Sequence, residues 1–335
     1  VTAQGRRMTS RAHLALGLLP ALVWFSLCAA AQAECVPSPS LSSISAADEY
    51  VLAETTNDTR GRVVAPVMVN GEGPFRFIVD TGANRSVLSV RLAERLGLQS
   101  NSTATVHTIQ GPTIAPIVSV NSMSYDALRL PTGELPLLGG GVLAGEDGLL
   151  GTDGLSDRRL RLDFDRECIE IIPSHEARPL AGWSRLQGEL RFGQLVVIKG
   201  EVSGIEVNVL IDTGSDFSLA NTAFHEATRA RSRPVEDIDG ITRAMTGSLP
   251  IVLNNAVIVP RLELAGVNIN NLVAFVGDYH VFSLYDFENE PTLLVGMDVL
   301  SRTRAIAIDY GRATVQFQLG RRTAEENGRV ILRIR

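Results

Sequence analysis

The chain has 335 residues, enough for two compact domains of ordinary size, and carries a net charge of −6 with 20% charged residues. That balance excludes a nucleic-acid surface, which needs a basic stripe; the clusters Arg158-Arg159, Arg229 to Arg233 and Arg321-Arg322 are short and read as solvated loop or helix faces. Hydrophobic residues make up 45% but aromatics only 5%, and there are 30 glycines, which suits a β-rich core of Val, Leu and Ile broken by many turns.

Residues 1–33 read as an export signal peptide. Arg6, Arg7 and Arg11 precede an apolar run from Leu14 to Ala31, and Ala31-Gln32-Ala33 forms a small-x-small cleavage pattern before Glu34. This predicts a periplasmic or secreted protein; the alternative is an uncleaved anchor, since the run is just long enough to span a membrane. Residues 34–60 follow as a flexible leader, Ser- and Pro-rich from Pro37 to Ala47. Cys28 leaves with the signal, so Cys35 and Cys168 remain. An oxidising compartment permits one disulfide between them, and two thiols are too few for a structural zinc site.

The first half of the folded chain spans 61–173. Val67-Met68-Val69-Asn70-Gly71, a turn and Phe75 to Val79 read as a β-hairpin ending in Asp80-Thr81-Gly82. Val90 to Leu98, with apolar Val90, Leu92, Ala93 and Leu96 and a glycine at 97, fits a short helix. Thr105 to Gly111 followed by Ile114 to Val120 reads as a second hairpin. Gly139-Gly140-Gly141-Val142-Leu143-Ala144 superficially fits a dinucleotide fingerprint, but Gly145 and Gly148 follow at once where a helix is required, so it reads as a loop. Leu149-Leu150-Gly151-Thr152-Asp153 then leads to the hairpin strand Leu160 to Phe164. Residues 174–188, with Pro179 and Gly182, form a linker.

The second half, 189–320, repeats this order. Val196 to Ile198, a Gly204 turn and Val207 to Ile211 end in Asp212-Thr213-Gly214; Ser218-Leu219-Ala220 stands where Ser86-Val87-Leu88 stands in the first half. Asn221 to Arg231 fits a helix, Ile238 to Met245 a hairpin turning at Asp239-Gly240, and Leu294-Val295-Gly296-Met297-Asp298 matches the earlier apolar-apolar-Gly run before Ile306 to Tyr310. Ordered self-similarity at this long period means a duplicated domain, not a solenoid. The tail, 321–335, alternates only at its end, and either adds a strand where the halves join or is disordered. His107, His175, His225 and His280 are scattered without ligand spacing, which argues against a metal site.

Two Asp-Thr-Gly loops, each paired with a downstream apolar-apolar-Gly strand, resemble the retropepsin-like aspartic proteases, in particular the bacterial exported members with two lobes on one chain. The resemblance covers roughly residues 62 to 320. It implies a mostly β fold of two similar lobes about a pseudo-twofold axis, with Asp80 and Asp212 as a catalytic dyad that activates water to hydrolyse a peptide bond. Like charges that close cannot both ionise, so the pair shares one proton. By the same resemblance, Thr81 and Thr213 hydrogen-bond across the junction. Gly82 and Gly214 let backbone N–H groups approach the carboxylates, and the strands at Gly151 and Gly296 pass behind the loops. The hairpins at 105–120 and 238–245 become two flaps over a protein or peptide substrate, in a protein that works as a monomeric pseudo-dimer without a cofactor. Asp153 and Asp298 read as helix N-caps. The chain departs from retroviral members at Thr152 and Met297, where they carry Arg, and from the pepsin branch at Asn84 and Asp216, where a hydroxyl residue is usual. The rival reading is a non-catalytic peptide-binding module on the same fold.

Overall fold

The computed structural model describes residue 2 and residues 35–40, 44, 49–192, 195–235, 244–246, 249–251, 255–264, 266–320, 324–326 and 329–333. The signal reading at 1–33 therefore lies outside the described residues, apart from Thr2. The fold is mostly β, with barrel-like sheets in two lobes and four short α-helices among the described residues. None of these helices is long and apolar enough to cross a membrane.

Each lobe grows from one hairpin. In the first, Val63–Val69 pairs antiparallel with Glu72–Val79, and the turn residues Asn70 and Gly71 both have positive φ (50° and 78°), the mirror-image turn that matches strand twist. In the second, Leu195–Val202 pairs with Ile205–Ile211 through Ser203 and Gly204, again both at positive φ (52° and 89°). The apolar-apolar-Gly strands then slot in parallel: Gly148–Leu150 beside Phe77–Val79, and Thr292–Val295 beside Asn208–Ile211. Phe77, Ile78 and Val79 are all buried, as are Val209, Leu210 and Ile211, because parallel strands covered on both faces need a continuous apolar run.

The lobes join edge to edge. Arg158–Asp163 pairs antiparallel with Ala305–Asp309, flanked by Cys168–Pro173 on one side and Thr314–Gln318 on the other. The outer strands are Val51–Glu54 and Ser184–Arg191, so each lobe contributes three strands in mirrored order. Both outer strands correct the sequence reading. Val51–Glu54 falls in the segment expected to be a flexible leader, and Ser184–Arg191 begins inside the expected linker. Each satisfies a row of backbone groups on a partner strand distant in sequence, which no local pattern announces.

The leader is tied down further. Cys35 and Cys168 are joined as a disulfide. The Ser38 N–H donates to Glu170 at 2.7 Å, and Arg161 donates to the Val36 carbonyl. Glu170 is only 1% exposed and also receives Arg159 and Arg161, so the leader helps to satisfy a buried carboxylate. In the tail, Arg329–Arg333 forms a strand that pairs parallel with Val267–Asn270 of the second lobe.

Candidate active site

Asp80 and Asp212 both stand one residue beyond a buried strand. Their backbone N–H groups donate to Leu150 and Val295, at 3.0 Å in each case, so the apolar-apolar-Gly strands fix where each loop begins. Each loop then folds back on its own carboxylate. Gly82 and Ala83 N–H donate to Asp80 Oδ1 at 2.9 and 3.0 Å; Gly214 and Ser215 N–H donate to Asp212 Oδ1 at 2.8 and 3.1 Å.

The loops are locked to each other by a reciprocal pair of threonines. Thr81 N–H donates to Thr213 Oγ1 and Thr213 N–H to Thr81 Oγ1, both at 3.1 Å. The Thr81 hydroxyl reaches the Ile211 carbonyl at 2.7 Å and the Thr213 hydroxyl the Val79 carbonyl at 2.6 Å. This brings the two carboxyl groups into hydrogen-bond contact. Glycine is required here by space as well as by backbone approach. A Cβ at Gly82 would lie 2.6 Å from Asp212 Cγ, and one at Gly214 would collide with the carboxylate of Asp80. Gly151 and Gly296 lie behind the loops, where a Cβ would meet the backbone of Arg85 and of Phe217 at 2.6 Å.

Asp153 and Asp298 are not N-caps. The capping positions are Gly151 and Gly296, and the carboxylates fold back onto serines. Ser86 donates its N–H and hydroxyl to Asp153 at 3.0 and 2.7 Å, and its oxygen accepts from Gly151 N–H at 3.1 Å. Ser218 donates to Asp298 at 2.9 Å and accepts from Gly296 N–H at 3.2 Å. These Ser–Asp braces tie each loop to the strand behind it. Burial pushes the Asp298 carboxyl up to about 6, with part of the rise offset by hydrogen bonds from Ser218 and Val299 and by Arg302. An acid whose folded pKa is raised loses stability as pH climbs from its unfolded value through its folded one. Asp298→Asn keeps a carbonyl acceptor for Ser218 and should stabilise the protein by ~1–2 kcal/mol above pH 6. Urea denaturation near pH 7.5 and pH 4.5 measures this: the gain should shrink towards zero in acid, and an equal gain at both would leave it unexplained by titration.

Arg62 is a site residue that the sequence reading missed. It is 3% exposed, bonds Asp58 at 2.8 Å, and donates to the carbonyls of Val142 (2.9 Å) and Gly214 (3.3 Å). With Arg60 it also faces Asp216, the residue in place of a hydroxyl, at 3.5 and 3.4 Å. The first lobe thus grips the second lobe's aspartate loop through an ion cluster. The only signal was an arginine at the head of an apolar strand, which is common.

Both aspartates are held above the ordinary carboxylate range. For Asp212 the first cause is burial and the second is the charge of Asp80; for Asp80 burial is offset by the Gly82 N–H and by Arg62. Asp212 is buried, whereas Asp80 keeps partial contact with solvent. The arrangement brings together two carboxyls whose charged forms are both disfavoured by burial. Nearby, burial lifts the Tyr285 hydroxyl to about 12, and both aspartates add to the rise.

The first flap hairpin pairs Ser100–Thr108 with Gly111–Val120. Its tip reaches the second lobe, where His280 N–H donates to the Ile109 carbonyl at 2.9 Å. In the second lobe Ala244–Thr246 pairs antiparallel with Leu249–Ile251, and the expected turn at Asp239-Gly240 lies outside the described residues. Residues 236–243 lie outside the described residues.

No curated protein matches the chain. A family model described as aspartyl protease matches residues 65–153 and again 198–299, once on each lobe and together over more than half of the chain. Each match holds one Asp-Thr-Gly loop and the Gly strand behind it, and on this ground the chain belongs to the aspartyl protease family.

Proposed function

We propose that the protein is an aspartic endopeptidase in which Asp80 and Asp212 activate one water molecule against a peptide carbonyl. The observation that carries this is the meeting of two carboxyl groups from different lobes, one buried and one partly so, held by the reciprocal Thr81–Thr213 hydrogen bonds. Asp80, eased towards the charged form by two backbone N–H groups and Arg62, takes the proton from water. Asp212, more deeply buried, keeps the shared proton, hydrogen-bonds the scissile carbonyl and later protonates the leaving amine. Substrate lies extended beneath the flaps, adding main-chain hydrogen bonds as an extra strand. The reaction asks only for water, so the reading needs no cofactor, and both half-sites on one chain make a working monomer.

Export completes the proposal. The basic-apolar-small pattern of 1–33 and the Cys35–Cys168 bridge both suit a periplasmic or secreted protein, where disulfides persist. The test is to incubate the protein with a library of extended peptides in mild acid and sequence the products. Internal cleavage blocked by a peptide mimic with a central hydroxyl is the expected result. Peptides that bind but stay intact would leave a peptide-capture module instead.

A further inference from the structure

The tip of the first flap is fastened across the cleft. His107 Nδ1 lies 2.8 Å from His280 Nε2, and the two rings meet edge to edge, with centroids 5.1 Å apart and planes inclined by only 16°. Beside them the Ile109 carbonyl accepts from His280 N–H, and the Ile109 side chain packs against a second-lobe cluster that includes Phe282, Tyr285 and Phe287. These contacts join a hairpin of one lobe to the short helix His280–Leu284 of the other.

We propose that His107 and His280 form an acid-released latch on the first flap. The chemistry follows from the atoms that meet. Two ring nitrogens share a hydrogen bond only while one keeps a lone pair. A first added proton preserves the contact, an imidazolium donating to a neutral ring. A second proton removes the last lone pair and leaves two like charges facing each other edge to edge across the former hydrogen bond. Acid supplies both protons, the second against the charge of the first.

No other charge competes for the pair among the described residues. The hairpin from Ser100 to Val120 carries no charged side chain except His107, and the helix His280–Leu284 none except His280. Around the helix, Asp278 accepts from the Thr222 hydroxyl at 2.6 Å, the Tyr279 and Tyr285 hydroxyls stay protonated, and Asp286 follows the helix end. Ser283 Oγ stands 3.4 Å from His280 Nδ1, and its hydroxyl donates to the His280 carbonyl at 3.0 Å. The latch therefore answers to its own two protons.

The test reads flap position and needs no peptide hydrolysis, so its failure is separate from that of the proposed activity. Spin labels go on Thr113→Cys, exposed on the flap, and Glu226→Cys, exposed on the second lobe. Near pH 7.5 one short distance is expected, and near pH 4.5 a longer population, with the open-to-closed ratio rising about tenfold as one hydrogen bond is lost and two like charges meet. His280→Gln keeps a donor and an acceptor at every pH and should stay closed in acid. His107→Ala should already be open at neutral pH. An unchanged distribution in the parent protein, or an acid opening that persists undiminished in His280→Gln, overturns the latch.

Discussion

Asp80→Asn and Asp212→Asn should each lower the rate of peptide cleavage on the order of 10³-fold or more, the scale lost with a positioned acid or base. The substitution is close to isosteric. An Asn carbonyl still accepts from the Gly82 and Ala83 N–H groups at position 80, or from Gly214 and Ser215 at position 212. The Thr81–Thr213 lock does not involve either carboxylate. What disappears is the exchangeable proton: a carboxamide neither takes one from water nor passes one to the leaving amine. The fold should not suffer. Each native carboxyl is held above its ordinary range by burial, so its ionised form costs stability once pH exceeds the unfolded value of about 4. Either Asn variant should therefore melt no lower than the parent near neutral pH. Cleavage of a good library peptide, measured beside thermal unfolding, separates the two effects. A variant that stays folded and keeps the parent rate would move the chemistry to other residues.

The parts of this site that were legible in the sequence are the ones written locally. Phe77 to Gly82 and Val209 to Gly214 announce a buried strand running into a tight loop, and the duplication tells which of 37 acidic residues stand out as a pair. What escaped depends on partners far along the chain. Val51–Glu54 is too short to read as a strand alone, and its hydrogen bonds go to 168–171. Arg62 acquires meaning only when the second lobe brings Gly214 and Asp216 to it. The serine braces sit between these extremes. Ser86 and Ser218 share an offset after the two aspartate loops, and Asp153 and Asp298 share one after the two Gly strands, so the clue was present in the repeat. Reading each Asp against its own helix start gave a cap; reading the two repeats against each other gives the pairs Ser86–Asp153 and Ser218–Asp298.

Cleavage should be bell-shaped in pH with its maximum on the acid side of neutrality. The working form holds one proton between Asp80 and Asp212, so it exists only between the two macroscopic pKa values of the pair. Burial and the charge of Asp80 raise Asp212 well above the usual carboxylate, which carries the upper limit of activity towards neutral pH. Beyond that limit both groups are charged, no proton remains for the leaving amine, and the rate should fall about tenfold per pH unit. Below the lower limit both are neutral and no base remains. Burial lifts Asp80 as well, with part of the rise held back by the Gly82 N–H and Arg62. Stability should lean the same way. Carboxyls with raised folded pKa values bind protons more tightly in the native state, so their contribution favours folding in acid and is lost as pH rises through those values. The flap latch acts in the same direction, because acid adds the protons that release the His107–His280 contact. Initial rates on one peptide across pH, with unfolding followed in the same buffers, test the whole. In His280→Gln the flap should stay closed in acid, so the rate should be lower at every pH at which the parent latch is open. A profile that climbs steadily into alkali, in protein shown to be folded throughout, would be incompatible with a dyad that must share a proton.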